Sequence, residues 1–179
     1  AQVGRTLLNE YGDDVKIRAR AHAAACSDAR MSGCSLPVVI NSGSGNQGMT
    51  VSLPVIEFAK EWNVSQEKLY RALVVSNLIA VHQKKYIGSL SAYCGAVSAG
   101  CGAGAAITYL SGGSYEDVSL TIVNTIGNVG GIVCDGAKSS CAAKIASAVD
   151  AAILAHYMGQ HHRSFQPGEG IVREDVEDT

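Results

Sequence analysis

The stretch SAYCGAVSAGCGAGAAITYL, residues 91–110, decides the fold. It is built mainly from Ala, Gly and Cys with a few larger apolar residues, and it contains no charged residue. A helix without a polar face has to be surrounded by other elements. We therefore expect an all-α fold, a compact helical bundle around a buried Ala/Gly-rich central helix from Ser91 to Leu110.

The segments on both sides of this stretch have the patterns of further helices. Asp13 and Ser114 are candidate capping residues. Ser65 is expected to open a helix with an apolar stripe formed by Leu69, Leu73, Val74, Leu78 and Val81. Pro54 is compatible with a helix only near its start. The predicted helices are Asp13–Arg30, about Thr50–Trp62, Ser65–Tyr86, Tyr115–Val133 and Ser139–Gly159. A polar tail follows, which has room for one short terminal helix.

Size and composition favour one domain over residues 1–179. The formal charge of −2 is mixed along the chain, so there is no basic stripe for nucleic acid. No apolar run reaches the roughly 20 residues of a membrane span. Six cysteines without a secretion signal predict reduced thiols and a cytoplasmic protein. Because no initiating Met precedes the first apolar segment, we expect a piece of a longer polypeptide.

Two pairs of cysteines share one spacing: Cys94 and Cys101 are seven residues apart, and so are Cys134 and Cys141. On a continuous helix this spacing places both thiols on one face. Gly136 is expected to interrupt the second helix and fold Cys134 towards Cys141. Small buried hydrophobes are one reading of these cysteines. Ligands are the other, and an iron–sulfur cluster tolerates wide spacing better than zinc does.

The segment NSGSGNQG, residues 41–48, is predicted to be irregular backbone because of its Gly, Ser and Asn content. Its backbone N–H groups and the side chains of Asn46 and Gln47 suit a substrate carboxylate. A plain turn is the competing interpretation.

Four motifs carry a resemblance that covers nearly the whole chain. They are GSGNQG at Gly43–Gly48, IGSLSAYCGA at Ile87–Ala96, CDGAK at Cys134–Lys138 and CAAK from Cys141. In this order they resemble the C-terminal portion of the L-cysteine desulfidase family, which is similar to the α region of iron–sulfur L-serine dehydratases.

The resemblance implies that Cys94, Cys134 and Cys141 hold a [4Fe–4S] cluster with one iron left open. That iron would bind the amino acid and act as a Lewis acid on the leaving hydroxyl or thiol, while a base removes the α proton. The expected products are pyruvate and ammonia from L-serine, with hydrogen sulfide as well from L-cysteine. We expect an N-terminal region of the same polypeptide to complete the pocket, so that this fragment is inactive alone. The polypeptide is also a candidate homodimer.

The resemblance also favours substrate-binding roles for Ser44, Asn46 and Gln47. Lys84 precedes the IG motif as a Lys does in the family, so it is a candidate for proton transfer or carboxylate binding. A solvated cation at a helix end is its alternative role. Ser89 departs from the family pattern, which has a basic residue there.

The other polar and sulfur residues receive weaker interpretations. Asp135 and Lys138 either tune the cluster or form a structural ion pair. Packing roles are expected for Cys26, Cys34 and Cys101, and no role is assigned to His156, His161 or His162. Two other classes stay open: a cluster-free helical small-molecule-binding module with structural cysteines, and a pyridoxal phosphate enzyme using Lys84, which lacks a supporting context.

Overall fold

The computed structural model describes residues 1–88 and 90–179, and these residues form seven α-helices. Within those ranges there is no β-strand, only two isolated bridges. The predicted all-α fold is confirmed. Ser89 lies outside the described residues. The helices are α1 Val3–Tyr11, α2 Val15–Met31, α3 Gly45–Glu61, α4 Gln66–Ile87, α5 Gly95–Leu110, α6 Tyr115–Val129 and α7 Cys141–Gln160.

Helix α5 is the buried centre of the bundle, as its lack of a polar face predicted. It packs against α3, α4, α6 and α7, and nearly all of its residues are buried. It begins at Gly95 rather than at Ser91, because Tyr93 forms an isolated antiparallel bridge with Val133. The prediction of a helix from Ser91 was therefore wrong by one turn.

Helices α5 and α7 lie side by side and run in the same direction. A Cβ at Gly100 would lie 3.0 Å from the Cβ of Ala148, and one at Gly104 would lie 2.8 Å from that of Ala152. One turn further on, Thr108 Oγ1 and His156 Nδ1 are 2.9 Å apart. All three pairs have the same sequence offset, so the N-terminal ends of both helices meet at one end of the bundle.

Capping side chains fix several helix starts. The hydroxyl of Ser65 accepts from the N–H of Lys68, and Ser114 forms a capping box with Asp117, as predicted for both serines. In α2 the cap is Asp14 rather than the predicted Asp13, because the Asp14 carboxylate accepts from two backbone N–H groups of the first turn.

Helix α3 begins inside the segment 41–48, which was wrongly predicted to be irregular throughout. A Cβ at Gly48 would lie 1.7 Å from the carbonyl oxygen of Val39, and one at Gly45 would lie 2.5 Å from the Val38 side chain. These glycines allow a close approach of two chain segments instead of breaking the helix. Pro54 consequently lies inside α3 and not near its start.

The C-terminal part of the chain is less regular than predicted. Helix α6 ends at Val129 instead of Val133, since Val133 takes part in the bridge to Tyr93. The tail after Gln160 contains turns and no helix in the part that the structure describes, although Val172 is buried. Across the described residues, no helix has the length and apolarity required to traverse a membrane.

Candidate functional site

Two extended arms bring Cys94 and Cys134 together at the N-terminal end of α5. The Cys94 N–H donates to the carbonyl of Ile132 at 3.0 Å, and the Cys134 N–H donates to that of Ala92 at 2.7 Å. In this pairing the two cysteines are diagonal neighbours on one face. Such neighbours have Cα atoms about 7–8 Å apart in regular antiparallel pairs.

Cys141 joins them because it is the first residue of α7. Cys94 is the N-cap of α5, and the parallel packing of the two helices brings both N-termini to the same end of the bundle. The positive end of a helix dipole favours a thiolate over a thiol. The Cys141 sulfur lies 3.5 Å from the backbone nitrogen of Lys138, in the loop where Gly136 has a φ of 93°.

The three thiols differ in exposure. Cys94 is buried, Cys141 is half-buried and Cys134 is exposed, and none forms a disulfide. Burial raises the pKa of the Cys94 thiol, although the backbone N–H groups of Ala96 and Val97 lower it in part. Three free thiols are the donor type that an iron–sulfur cluster takes, but in this conformation their side chains are not gathered into a ready metal site. The described residues contain no group of three His, Cys, Asp or Glu side chains that could hold a metal ion.

Lys144 ties the arm that carries Cys134 to the helix that begins with Cys141. Its ammonium donates to the carbonyl of Val133 at 3.1 Å and forms an ion pair with Asp135. The bond from Lys144 holds the pKa of Asp135 below its usual value, and the pKa of Lys144 is raised in turn. Sequence reasoning missed this residue, although it is the Lys of the quoted CAAK motif.

The predicted substrate loop forms a tight turn followed by the start of α3. Ser42 and Gly43 both have positive φ angles, 49° and 86°, and the backbones of Asn41 and Ser44 pair across the turn. The Asn41 side chain donates to Asn77 on α4 and so fixes the turn to the bundle. Ser44 is the N-cap of α3, but its hydroxyl makes no capping hydrogen bond.

Gln47 is the loop residue that lies beside the cysteines. Its amide would be 2.5 Å from a Cβ at Gly95, the residue after Cys94, so a larger residue there would displace the Gln47 side chain. Gln47 is 8% exposed, and within residues 1–88 and 90–179 its Oε1 has no hydrogen-bond partner. Asn46 is turned towards α2, where its Oδ1 accepts from Arg30 at 3.2 Å.

Lys84 lies half-buried in the last turn of α4. Its backbone carbonyl accepts from the N–H of Gly88. Among the described residues its ammonium forms neither a hydrogen bond nor an ion pair.

The remaining cysteines and the buried histidine lie apart from this site. Cys101 is fully buried against α6, and burial raises its pKa to about 12, so it remains a protonated thiol. Cys26 and Cys34 lie near the C-terminal end of α2. His156 is buried at the other end of the seam between α5 and α7.

A cavity of about 930 Å³ reaches Cys94 from the side of α4 and α6. Tyr93 and Cys94 lie at one edge of it, and its walls are mostly apolar.

The sequence model of the family described as serine dehydratase alpha chain matches residues 1–179. A curated relative from Lachnoclostridium phytofermentans, a UPF0597 protein, is 67% identical over 99% of this chain and 42% of its own length. UPF0597 proteins of Desulfitobacterium hafniense and Treponema denticola are 64% and 57% identical, again over 42% of each relative and 100% and 99% of this chain. The chain thus spans less than half the length of these relatives. No solved structure matches it.

Proposed function

The chain belongs to the serine dehydratase alpha chain family, and we propose that it is the cluster-binding part of an iron–sulfur lyase. The substrate is L-serine or L-cysteine, from which the enzyme eliminates the β-substituent. The observation that carries this proposal is the meeting of three cysteine-bearing segments, with Cys94, Cys134 and Cys141, at the aligned N-termini of α5 and α7.

These three thiols are the proposed ligands of a [4Fe–4S] cluster. When bound with one iron free of protein ligands, the cluster would supply a Lewis acid for departure of the hydroxyl or thiol. The chain contributes two helix N-termini, which favour the anionic thiolates. Burial of Cys94 makes its thiolate costly to form alone, so ligation to iron and the nearby N–H groups would offset that cost.

The start of α3 is the proposed binding site for the amino acid. The first backbone N–H groups of a helix lack partners within it and attract a carboxylate. Gln47 Oε1 offers a buried acceptor for the α-ammonium, and its lack of a partner supports that role. Ser44 supplies a hydroxyl that does not cap the helix, and Asn46 is held in place by Arg30.

Lys84 is proposed to bind the substrate carboxylate or to transfer a proton. Its place in the last turn of α4 supports this role, because the chain runs from there directly into the arm that carries Cys94.

The whole protein is proposed to contain a second region of the same polypeptide that completes the pocket, since the relatives are more than twice as long as the matched segment. Two such polypeptides are proposed to form a homodimer. Six free thiols support a reducing compartment, and we assign the protein to the cytoplasm.

A second candidate is a cluster-free helical module that binds a small molecule and keeps its cysteines for packing. It is favoured by the raised pKa of Cys94, which is typical of a thiol buried as a small hydrophobe.

Anaerobic purification of the full-length polypeptide separates the two candidates. We expect iron, acid-labile sulfide and a broad brown absorbance, together with pyruvate formation from L-serine or L-cysteine. Cys94→Ser, Cys134→Ser and Cys141→Ser should each abolish iron retention. Cys34→Ser is the matched control, an exposed thiol away from the site, and should retain iron. Normal iron content in all three site variants would reject the ligand assignment and favour the module.

A further inference from the structure

Helix α4 is apolar on two opposite sides, although only one side meets the bundle. Ala72, Ser76 and Ala80 are buried, and the carbonyl of Ser76 would lie 2.4 Å from a Cβ at Gly102 of α5. Leu69 and Leu73 are partly buried against the core. The opposite side carries Tyr70, Val74, Leu78 and Val81, which are 57%, 57%, 62% and 40% exposed.

The C-terminal half of α4, from Leu78 to Ile87, forms one wall of the cavity of about 930 Å³, which we call the outer groove. A second wall is α6, with Val118, Ile122 and Ile126. The C-terminal tail forms a third side with Ile171 and residues 176–179, and its Glu177 pairs with His82 of α4 at 2.8 Å. In the described parts of the chain, α4 and α6 both pack against α5 but not against each other. A helix with apolar residues on two opposite sides is typical of an element that contacts a second layer. Within the described ranges the tail contacts only the C-terminal half of α4, so most of the outward apolar residues remain exposed.

The size and chemistry of the outer groove fit a protein segment better than the proposed substrate. The part of α4 that lines the groove runs from Leu78 to Ile87, about 14 Å of helix, and the exposed Tyr70 and Val74 continue the apolar strip beyond it. Such a length matches a packed helix, whereas L-serine and L-cysteine are small and polar. Exposed apolar patches of this extent usually mark interaction surfaces.

We propose that the outer groove is the docking surface for the region that the relatives carry beyond the matched segment. More than half of each relative's length lies in that region. From the proposed function, this inference takes only one element, which is that the same polypeptide contains this second region. Because Cys94 and Tyr93 lie at the edge of the groove, docking there would close that side of the cysteine site against water.

The rim of the outer groove carries charges of both signs. Helix α4 carries four Lys or Arg residues and one acidic residue, and the tail adds Glu177 and Asp178. The choice of occupant therefore rests on the length that the relatives carry beyond the matched segment, and a second copy of this chain is an outcome that the experiment distinguishes.

The experiment uses the full-length polypeptide with a protease site inserted at the junction of the two regions. After cleavage, the two fragments should remain together in size-exclusion chromatography. In a variant with Leu78→Glu and Val81→Glu, the co-eluting fraction should fall at least tenfold. Leu154→Glu is the matched control, since Leu154 lies on α7 and is 54% exposed, similar to Leu78 at 62%. It should leave the fragments associated.

Three outcomes would overturn the inference: fragments that stay together in the double variant, fragments of the unmodified protein that separate, or equal separation in the Leu154→Glu control. If the double variant converts a dimer into a monomer while its fragments stay associated, the occupant is a second copy. Iron content of the same samples tests the proposed function separately. Fragments that stay associated but contain no iron would reject the cluster and support the docking surface. Fragments that separate but contain iron would support the cluster and reject the docking surface.

Discussion

The two ends of the pair formed by α5 and α7 differ sharply, although the same helix register connects them. At the C-terminal end, His156 is fully buried and its Nδ1 lies 2.9 Å from the hydroxyl of Thr108, which also contacts Thr121. At the N-terminal end, the cysteines lie beside irregular arms held by the exposed ion pair of Lys144 and Asp135. One end is neutral and closely packed, and the other is charged and partly open.

This difference indicates that the two ends of the contact between α5 and α7 have different roles. Close packing of glycines against Ala148 and Ala152 fixes the direction of both helices. That rigidity holds the two N-termini in place, so the arms that carry the thiols can remain irregular. We therefore expect changes at the buried end to act on stability, and changes at the cysteine end to act on iron binding.

The largest effect is expected from the protonation of His156. Burial lowers its pKa from 6.5 to about 4, so the folded protein keeps it neutral. As the pH falls from 6.5 to about 4, the unfolded chain takes up a proton that the folded chain does not. The free energy of unfolding should fall by about 3 kcal/mol across this window. Urea unfolding at several pH values measures it.

His156→Asn should start from a lower stability and lose much of this pH dependence, whereas the exposed His161→Asn should keep the slope of the unmodified protein. An identical slope in His156→Asn would show that another group causes the acid sensitivity, and the description of the neutral end would be wrong.

The next effect concerns the close packing of the seam. In Gly104→Ala the new Cβ would lie 2.8 Å from that of Ala152, so the helices must move apart. Overpacking costs about 1–3 kcal/mol, and the better helix propensity of Ala offsets about 1 kcal/mol of that cost. A net loss of up to about 2 kcal/mol is expected in urea unfolding. The matched control is Gly131→Ala, where nothing lies within 4 Å, and it should change little.

Much of this fold could be predicted from local sequence signals. Ser65 and Ser114 cap the helices that they were expected to cap, because capping depends on a few adjacent residues. The central helix was predictable because a segment without charges has no side to turn towards water. The start of α3 was not, since Gly45 and Gly48 contact Val38 and Val39 across the turn at Asn41–Ser44, and this contact exists only once the turn has folded. A glycine that breaks a helix and one that permits close contact look the same in a sequence.

The candidate site was predictable only in part for the same reason. The roles of Cys94, Cys134 and Cys141 stay predictions that came from a resemblance, as spacing alone left them open. The bridge between Tyr93 and Val133, which joins two of the arms, depends on pairing across about forty residues and has no local signal. The position of Gln47 beside Gly95 is a tertiary contact of the same kind.

The smallest effect on stability, and the sharpest test of the comparison, is expected from Lys144→Met. The ion pair with Asp135 is exposed, and exposed pairs contribute little to stability. The melting temperature should therefore hardly change. The variant nevertheless loses the bonds to Val133 and Asp135 that hold the arm of Cys134 against α7. Iron retention in the anaerobically purified full-length protein should fall about tenfold or more, as for other residues that orient metal ligands.

Two controls distinguish the loss of the Lys144 bonds from the loss of a positive charge. Lys138→Met removes a positive charge from the same loop. In the part of the chain described, the Lys138 side chain forms no ion pair, so iron should be retained. Lys144→Arg keeps a donor at the position and should restore most of the iron. If Lys144→Met clearly lowers the melting temperature as well as the iron content, the arm contributes to the stability of the fold. The proposed difference in role between the two ends of the α5–α7 pair would then be wrong.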